Sequence, residues 1–188
     1  INTLCKIFTQ VLLSRLNIWF EDNPVIPESQ SGFRKTRGCI DNIFSLTSLI
    51  HLNTRKKGQY IYGIFVDMKR AFDSVNHLLL WHKLYSVGLS WKFINIIESL
   101  YCNATIRAKV NKDFTDNFSV GEGVLQGETL SPTLFSIFTH DIEEFFRSNY
   151  VRGVKINEKD DILLLCYADD IVIFGTSEFD VQTKLNIL

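Results

Sequence analysis

Hydrophobic and polar positions follow two periods along this chain. Between residues 5 and 20, Phe8, Val11, Leu12, Leu16, Trp19 and Phe20 recur at helical spacing, with Lys6, Gln10 and Arg15 elsewhere. That predicts an amphipathic helix, which Asn23-Pro24 and Pro27 stop. Asp41 is placed to cap a second helix to about Asn53, with Ile43, Phe44, Thr47 and Ile50 on one face. The period then changes. Residues 60–66 read as a strand with Asp67 at its C-terminal end. Asn76 caps a helix over 77–87 closed by Gly88, and Ser90 caps another over 91–101. Residues 105–111 and 114–120 predict a hairpin around Asn111-Lys112-Asp113. A glycine-rich segment, Gly121-Glu122-Gly123-Val124-Leu125-Gln126-Gly127, leads to Ser131 at a cap and Pro132 at the first helical position. That helix runs to about Arg147, with Leu134, Phe135, Phe138, Ile142 and Phe145 or Phe146 inward. Two apolar runs, 162–166 and 171–174, flank Tyr167-Ala168-Asp169-Asp170 and predict a hairpin. Residues 179–188 are helix-like.

Composition narrows the classes. The chain has 188 residues, 46% hydrophobic with 15 Phe, enough for a sizeable core. With 3 Pro and 10 Gly it is neither linker-rich nor disordered in character. A net charge of −1 gives no global field to attract nucleic acid. Cations cluster locally instead, at Arg34, Lys35 and Arg37, then at Arg55, Lys56 and Lys57, beside the turn Lys56-Lys57-Gly58. The four cysteines lack CxxC spacing, which argues against a zinc site or disulfide framework and fits an intracellular setting, nucleus or cytoplasm. No apolar run reaches the length of a membrane span. The chain does not begin with Met and stops inside a helix-like stretch, so we expect a piece of a longer protein.

The candidate chemistry lies where carboxylates meet apolar strands. Asp-Asp in a hairpin is, by itself, ordinary turn chemistry. Ionised carboxylates beside so much apolar sequence nevertheless call for compensation, and Mg²⁺ takes carboxylate oxygens plus substrate phosphate. Asp67 and Asp169 are 102 positions apart, so only tertiary structure can join them. Two strands of one sheet would bring them to its edge, the arrangement for two divalent ions roughly 3.5–4 Å apart clamping a phosphoryl transfer. The segment Gln30-Ser31-Gly32-Phe33-Arg34-Lys35-Thr36-Arg37-Gly38 offers two glycines for close backbone approach to a ligand and three cations for phosphates. The glycine-rich helix start favours anions. His77 and His82 are five apart, off the face needed for joint metal ligation, and read as ordinary helix residues.

Four motifs in order resemble the reverse transcriptase domain of non-LTR (LINE-type) retrotransposons, over nearly the whole chain. Gln30-Ser31-Gly32-Phe33-Arg34 resembles that family's fingers motif, and Phe65-Val66-Asp67-Met68-Lys69-Arg70-Ala71-Phe72-Asp73-Ser74-Val75 its first catalytic motif. Gly123-Val124-Leu125-Gln126-Gly127-Glu128-Thr129-Leu130-Ser131-Pro132 resembles the second, and Tyr167-Ala168-Asp169-Asp170 matches the third. The resemblance implies an α+β right-hand polymerase core of fingers and palm, with the catalytic carboxylates on an antiparallel palm sheet flanked by helices. Residues 1–59 and 92–125 would be fingers, 60–91 and 126–188 palm, with the rest of the palm and the thumb outside the chain.

The implied activity is RNA-directed DNA polymerisation: attack of a primer 3′-hydroxyl on a deoxynucleoside triphosphate, with two Mg²⁺ ions for which Mn²⁺ could substitute. Asp67 and Asp169 would hold the metals with Asp170 in support, and Val66 would lend its carbonyl. Arg34 and Lys35 would hold the triphosphate, Phe72 would be a steric gate beneath the sugar, and Gln126 would touch the nucleotide. Gly127, Ser131, Pro132 and Tyr167 would lie along template and primer, and Asp73 would cap or brace the following turn. Glu128 stands where a small residue or Cys is expected and would put a charge near the template path. The partners would be an RNA template and a DNA primer or target, with no membrane. The chain alone would lack the surface that grips a duplex and would not extend a primer. A group II intron-like or telomerase-like reverse transcriptase shares these motifs. An RNA-directed RNA polymerase would usually carry Gly-Asp-Asp and a small polar residue in place of Phe72. A non-catalytic RNA-binding relic of the same fold is the reading from a different class.

Overall fold

The computed structural model describes residues 3–55, 58–111 and 113–188, so the expected turn at Lys56-Lys57 and the hairpin residue Lys112 lie outside the described residues. In chain order the elements are α1 (Thr3–Asp22), α2 (Cys39–Asn53), β1 (Tyr62–Asp67), α3 (His77–Ser86), α4 (Trp91–Cys102), β2 (Thr105–Ile106), β3 (Lys109–Val110), β4 (Asp113–Phe114) and β5 (Phe118–Ser119). There follow α5 (Ser131–Phe138), α6 (Ile142–Ser148), β6 (Val154–Lys155), β7 (Asp161–Ile162), β8 (Leu164–Tyr167), β9 (Asp170–Gly175) and α7 (Glu178–Ile187). The chain divides into two compact units, one of residues 1–17 with 70–138 and one of 18–69 with 139–188.

The second unit is built on an antiparallel sheet in the order β1-β9-β8. Alternation along its strands sends Ile64, Val66, Leu164, Cys166, Ile171 and Ile173 into one cluster with Phe146, Val151 and Leu163. The opposite face puts Leu165, Val172 and Phe174 against Leu46 and Leu49 of α2. Along β8 and β9 the sheet is therefore covered on both faces and its apolar runs are near-continuous, while on β1 Gly63, Phe65 and Asp67 are exposed on the α2 side. Helix α7 packs on β9 and β1. Its Lys184 is fully buried, donating to the Phe174 carbonyl at 2.7 Å and to Asp180 at 2.9 Å. Gly153 lies so close to the backbone of Ile162 that a Cβ would meet its carbonyl carbon at 2.3 Å.

The first unit packs α3 against α4 and α5. Leu80, Leu84, Ile94, Ile97, Leu134 and Ile137 are fully buried. Asn76 caps α3 by accepting from the Leu79 amide at 3.0 Å, and Ser90 caps α4 through the Phe93 amide. The Leu89 amide closes α3 back onto the Leu84 carbonyl at 3.2 Å.

Several expectations need correction. Asp41 is not the cap of α2; Gly38 is, and the Asp41 carboxylate reaches back to accept from the Gly38 amide at 2.7 Å. The inward face of α2 carries Leu46 and Leu49, while Ile43, Phe44, Thr47 and Ile50 are exposed. Both faces of that helix are apolar, so periodicity alone could not choose between them. In α1, Leu12 and Leu16 are buried but Phe8 and Val11 are exposed. The strand expected from residue 60 starts at Tyr62. The hairpin over 105–120 is two short ladders, β2 with β5 and β3 with β4. The long helix from Ser131 is two helices. Thr139 and Asp141 are weak helix formers, and the Ile142 amide there bonds only three residues back, to the Thr139 carbonyl. Phe146 is the inward aromatic of that region, with Phe145 exposed. Among the described residues, no helix is long and apolar enough to cross a membrane.

Candidate active site

Asp67 ends β1 and Asp170 begins β9, and they are direct partners across the antiparallel ladder. Opposed residues share a face, so the two carboxylates project from the same side, beside Tyr167, which also pairs with Asp170. The sequence leads one to expect Asp67 and Asp169 at one cation site with Asp170 adjacent; the register sets Asp170 directly across from Asp67. Asp169 occupies the two-residue turn between β8 and β9. Like charges directly opposed on a sheet are destabilising, and here both carboxylates are exposed. The Val66 side chain points the other way, into the core.

The turn is strained. Ala168 has φ 59° and Asp169 has no positive φ, as in hairpin turns with only the first central residue left-handed. A non-glycine residue held there costs about 1–3 kcal/mol. The compensation comes from Gln30, 138 positions away and 4% exposed. Its Oε1 accepts from the Ala168 amide at 2.9 Å and its Nε2 donates to the Ala168 carbonyl at 3.1 Å. Residues 29–31 run along the free edge of β8: the Cys166 amide donates to the Ser29 carbonyl at 2.7 Å, and the Ser31 amide to the Cys166 carbonyl at 2.9 Å. Asn42 of α2 donates to that same carbonyl at 2.9 Å and accepts from the Ser31 hydroxyl at 2.7 Å. Burial pushes the Cys166 thiol up to about 12.

The glycines of this segment do not open onto a ligand as expected. A Cβ on Gly32 would meet the Ala168 amide nitrogen at 2.2 Å, so Gly32 makes room for the hairpin turn, and Gly38 is a helix cap. Arg34 is held locally: it pairs with Glu28 at 3.0 Å and donates to the carbonyls of Pro27 at 3.1 Å and Gln30 at 3.3 Å. Arg37 pairs with the same Glu28. The hydrogen bond from Arg34, with the charges of both arginines, holds the Glu28 carboxyl below its ordinary value. Lys35 is exposed.

The other predicted residues lie in the first unit. Phe72 is half-buried, its ring stacked on Phe135 at 4.7 Å between centroids and 12° between planes. Asp73 accepts from the Gln126 side chain at 2.9 Å, a partner 53 positions away. The glycine-rich segment folds onto residues 72–77, with the Gly123 amide on the Val75 carbonyl at 2.8 Å and the Val124 amide on the Phe72 carbonyl at 2.7 Å. Gly123 has φ 87°, and a Cβ there would lie 2.7 Å from the Asp73 carbonyl oxygen, so no other residue fits. His77 closes the joint by donating from Nε2 to the Gly123 carbonyl at 2.7 Å. A cavity of about 690 Å³ is lined here by Arg70, Asp73, Ile106, Phe118, Gly123 and Gln126, among others.

Glu128, expected near the template path, is 5% exposed and turned inward. It accepts from the Leu130 amide at 2.8 Å and the Thr129 hydroxyl at 3.2 Å, and sits 3.3 Å from the Ser131 hydroxyl. The start of α5, expected to favour an external anion, thus already holds an internal one. Ser131 donates to the Leu125 carbonyl at 2.7 Å and is fully buried beside Tyr101. Burial chiefly, with the Glu128 charge nearby, raises the Tyr101 hydroxyl to about 12. Gly127 and Tyr167 are exposed, and Pro132 is half-buried.

Among the described residues, no three His, Cys, Asp or Glu close into a metal cage. Mg²⁺ does not require one, because it is held by one or two carboxylates with water and substrate phosphates completing its shell. Two opposed exposed carboxylates at a sheet end fit that donor chemistry.

A sheet-borne carboxylate pair at a tight hairpin, with helices on both faces, defines a right-hand polymerase fold of fingers and palm. The chain matches the family model described as reverse transcriptase (RNA-dependent DNA polymerase) over residues 1–188, and it belongs to that family. Its relatives are polymerases of non-LTR retrotransposons, as the four motifs lead one to expect. It is 30% identical over 180 residues to the RNA-directed DNA polymerase from mobile element jockey of Drosophila funebris, covering 96% of this chain and 19% of that protein. It is 28% identical over 159 residues to the transposon TX1 uncharacterized 149 kDa protein of Xenopus laevis, covering 84% of this chain and 12% of that one. The fold is similar to apo telomerase from Candida tropicalis truncated from its C-terminal domain, with a TM-score of 0.65 and 22% identity over 95% of this chain and 35% of that one. The chain thus spans less than a fifth of the length of either relative.

Proposed function

We propose that this chain carries the catalytic carboxylates of an RNA-directed DNA polymerase, which adds deoxynucleotides to a primer 3′-hydroxyl on an RNA template. The observation that supports this best is the direct opposition of Asp67 and Asp170, with Asp169 in the clamped turn beside them. Asp67, Asp169, Asp170 and the Val66 carbonyl would hold two Mg²⁺ ions, replaceable by Mn²⁺. Bound there, the metal supplies charge neutralisation on the phosphates and a more acidic primer hydroxyl.

The chain's own residues supply position. Arg34, with Lys35, binds the triphosphate, which takes over the guanidinium–anion contact now made by the exposed Glu28. Phe72 excludes the 2′-hydroxyl and Gln126 orients the nucleotide. Gly127, Pro132 and Tyr167 lie along template and primer, and Ser131 holds the turn that carries Gly127. Residues 1–59 and 92–125 serve as fingers, 60–91 and 126–188 as palm. Such positioning and electrostatics account for most of the catalysis in phosphoryl transfer.

The test is primer extension by the full polypeptide that carries this chain, with an RNA template, a DNA primer and deoxynucleotides. Product should appear with Mg²⁺ and disappear with a chelator. No product on RNA, or product indifferent to the chelator, would contradict the reading.

A further inference from the structure

The amide of Gln30 meets both polar backbone groups of a single residue, Ala168, at the tip of the catalytic hairpin. Between two strands joined by a two-residue turn, the first central residue has no ladder partner for its amide or carbonyl. A side-chain amide carries one acceptor and one donor side by side, as a peptide group does. Gln30 therefore gives Ala168 what a neighbouring strand would give. Its Oε1 also accepts from the Gly32 amide at 2.8 Å, which fixes the orientation of the side chain. The group is buried, and its partners are all backbone atoms. Gly32 supplies the space, with no room for a Cβ against the Ala168 amide.

We propose that Gln30 is a positioning residue for catalysis: its clamp on Ala168 fixes the strained turn and thereby the aim of Asp169 and Asp170. The motif Gln30-Ser31-Gly32 thus serves the carboxylates, while phosphate binding is left to the cations that follow it. Asp169 directly follows the clamped residue and Asp170 begins the strand after it. Releasing the clamp lets Ala168 leave its left-handed conformation and swings both carboxylates, while Asp67 stays on β1. This inference rests on the polymerase reading and deepens it.

The test uses the full polypeptide and two variants. Gln30→Met keeps length and removes all three polar contacts, two to Ala168 and one to Gly32. Gln30→Glu keeps the acceptor but, when ionised, sets a carboxylate oxygen against the Ala168 carbonyl; protonated, it regains a donor. For Gln30→Met, kcat should fall about 10²-fold, the scale of loss from about 1 Å of misplacement. The Kd for primer–template should stay within about twofold, because no phosphate contact is removed. Activity of Gln30→Glu relative to the parent should rise as pH falls from about 8 to about 6, the range in which a buried carboxyl regains its proton. Hydrogen exchange at the Ala168 amide should quicken about tenfold in Gln30→Met.

Full kcat in a folded Gln30→Met protein overturns the proposal. So does a Gln30→Glu profile parallel to the parent's; and if Gln30→Met fails to fold, that profile decides alone, since it compares one protein with itself. If the parent does not extend a primer, the polymerase reading fails and the catalytic role of Gln30 with it, while exchange at Ala168 still judges the clamp.

Discussion

Replacing Phe72 separates two roles that one ring can have. It is half-buried and stacked on Phe135, itself 1% exposed, so part of its surface belongs to the core of its unit. Removing a fully buried Phe costs about 3–5 kcal/mol, so a half-buried one costs about 2 kcal/mol, including an offset-stacked pair of about 1 kcal/mol. Against a total stability of about 5–15 kcal/mol the Phe72→Ala protein remains folded. Its melting temperature should drop by about 8–16 °C for a unit of this size. If the remaining face of the ring bars a 2′-hydroxyl, relative ribonucleotide use should rise about tenfold, or roughly 1.4 kcal/mol of lost discrimination. Phe72→Tyr keeps the stack and should keep both properties near the parent's. The assay is the ratio of kcat/KM for a ribo- and a deoxynucleotide in the full polypeptide, beside a thermal melt. Global unfolding of Phe72→Ala would make the ring purely structural. A folded variant with an unchanged ratio would remove the gate.

Other outcomes follow from the buried groups. Glu128→Ala leaves the Leu130 amide without its acceptor and should cost about 1.5–3 kcal/mol in urea unfolding, with Glu128→Gln costing about 1 kcal/mol or less; an Ala variant as stable as the parent would make Glu128 a template-side charge after all. The Cys166 thiol and Tyr101 hydroxyl both have folded values raised to about 12, from 9.0 and 10.0. Above pH 9 the unfolded chain sheds protons that the folded one keeps, so stability falls as pH rises from about 9 toward about 12, by up to about 1.4 kcal/mol per pH unit for each group. Cys166→Ala should make that slope shallower, and an unchanged slope in urea midpoints would contradict the assignment.

The sequence was most legible where local chemistry decides structure. Asn76, Ser90 and Gly88 marked helix ends that the structure keeps, and the apolar runs around Asp169-Asp170 gave the hairpin. It was least legible where two local answers were equally apolar, as on α2, or where a weak helix stretch such as Thr139–Asp141 could bend. The clamp on the turn left no local signal, because Gln30 and Ala168 are joined only by tertiary structure. Gln30-Ser31-Gly32 was conspicuous, but its residue types suit phosphate and peptide backbone equally. Glu128 read as an exposed charge because a one-dimensional pattern cannot show that the start of α5 would turn it inward.

If the proposed function holds, Asp67 and Asp169 carry nucleotide transfer, with Asp170 in support. The most direct measurement is single-turnover extension of a DNA primer on an RNA template by the full polypeptide, in parent, Asp67→Asn and Asp169→Asn, across a Mg²⁺ titration. Each substitution keeps size and removes charge, so primer–template affinity should stay near the parent's. The rate should be at least about 10²-fold lower at every Mg²⁺ concentration, the order of loss when a group that stabilises developing charge is removed. Parental rates and an unchanged Mg²⁺ dependence in either variant would contradict that reading.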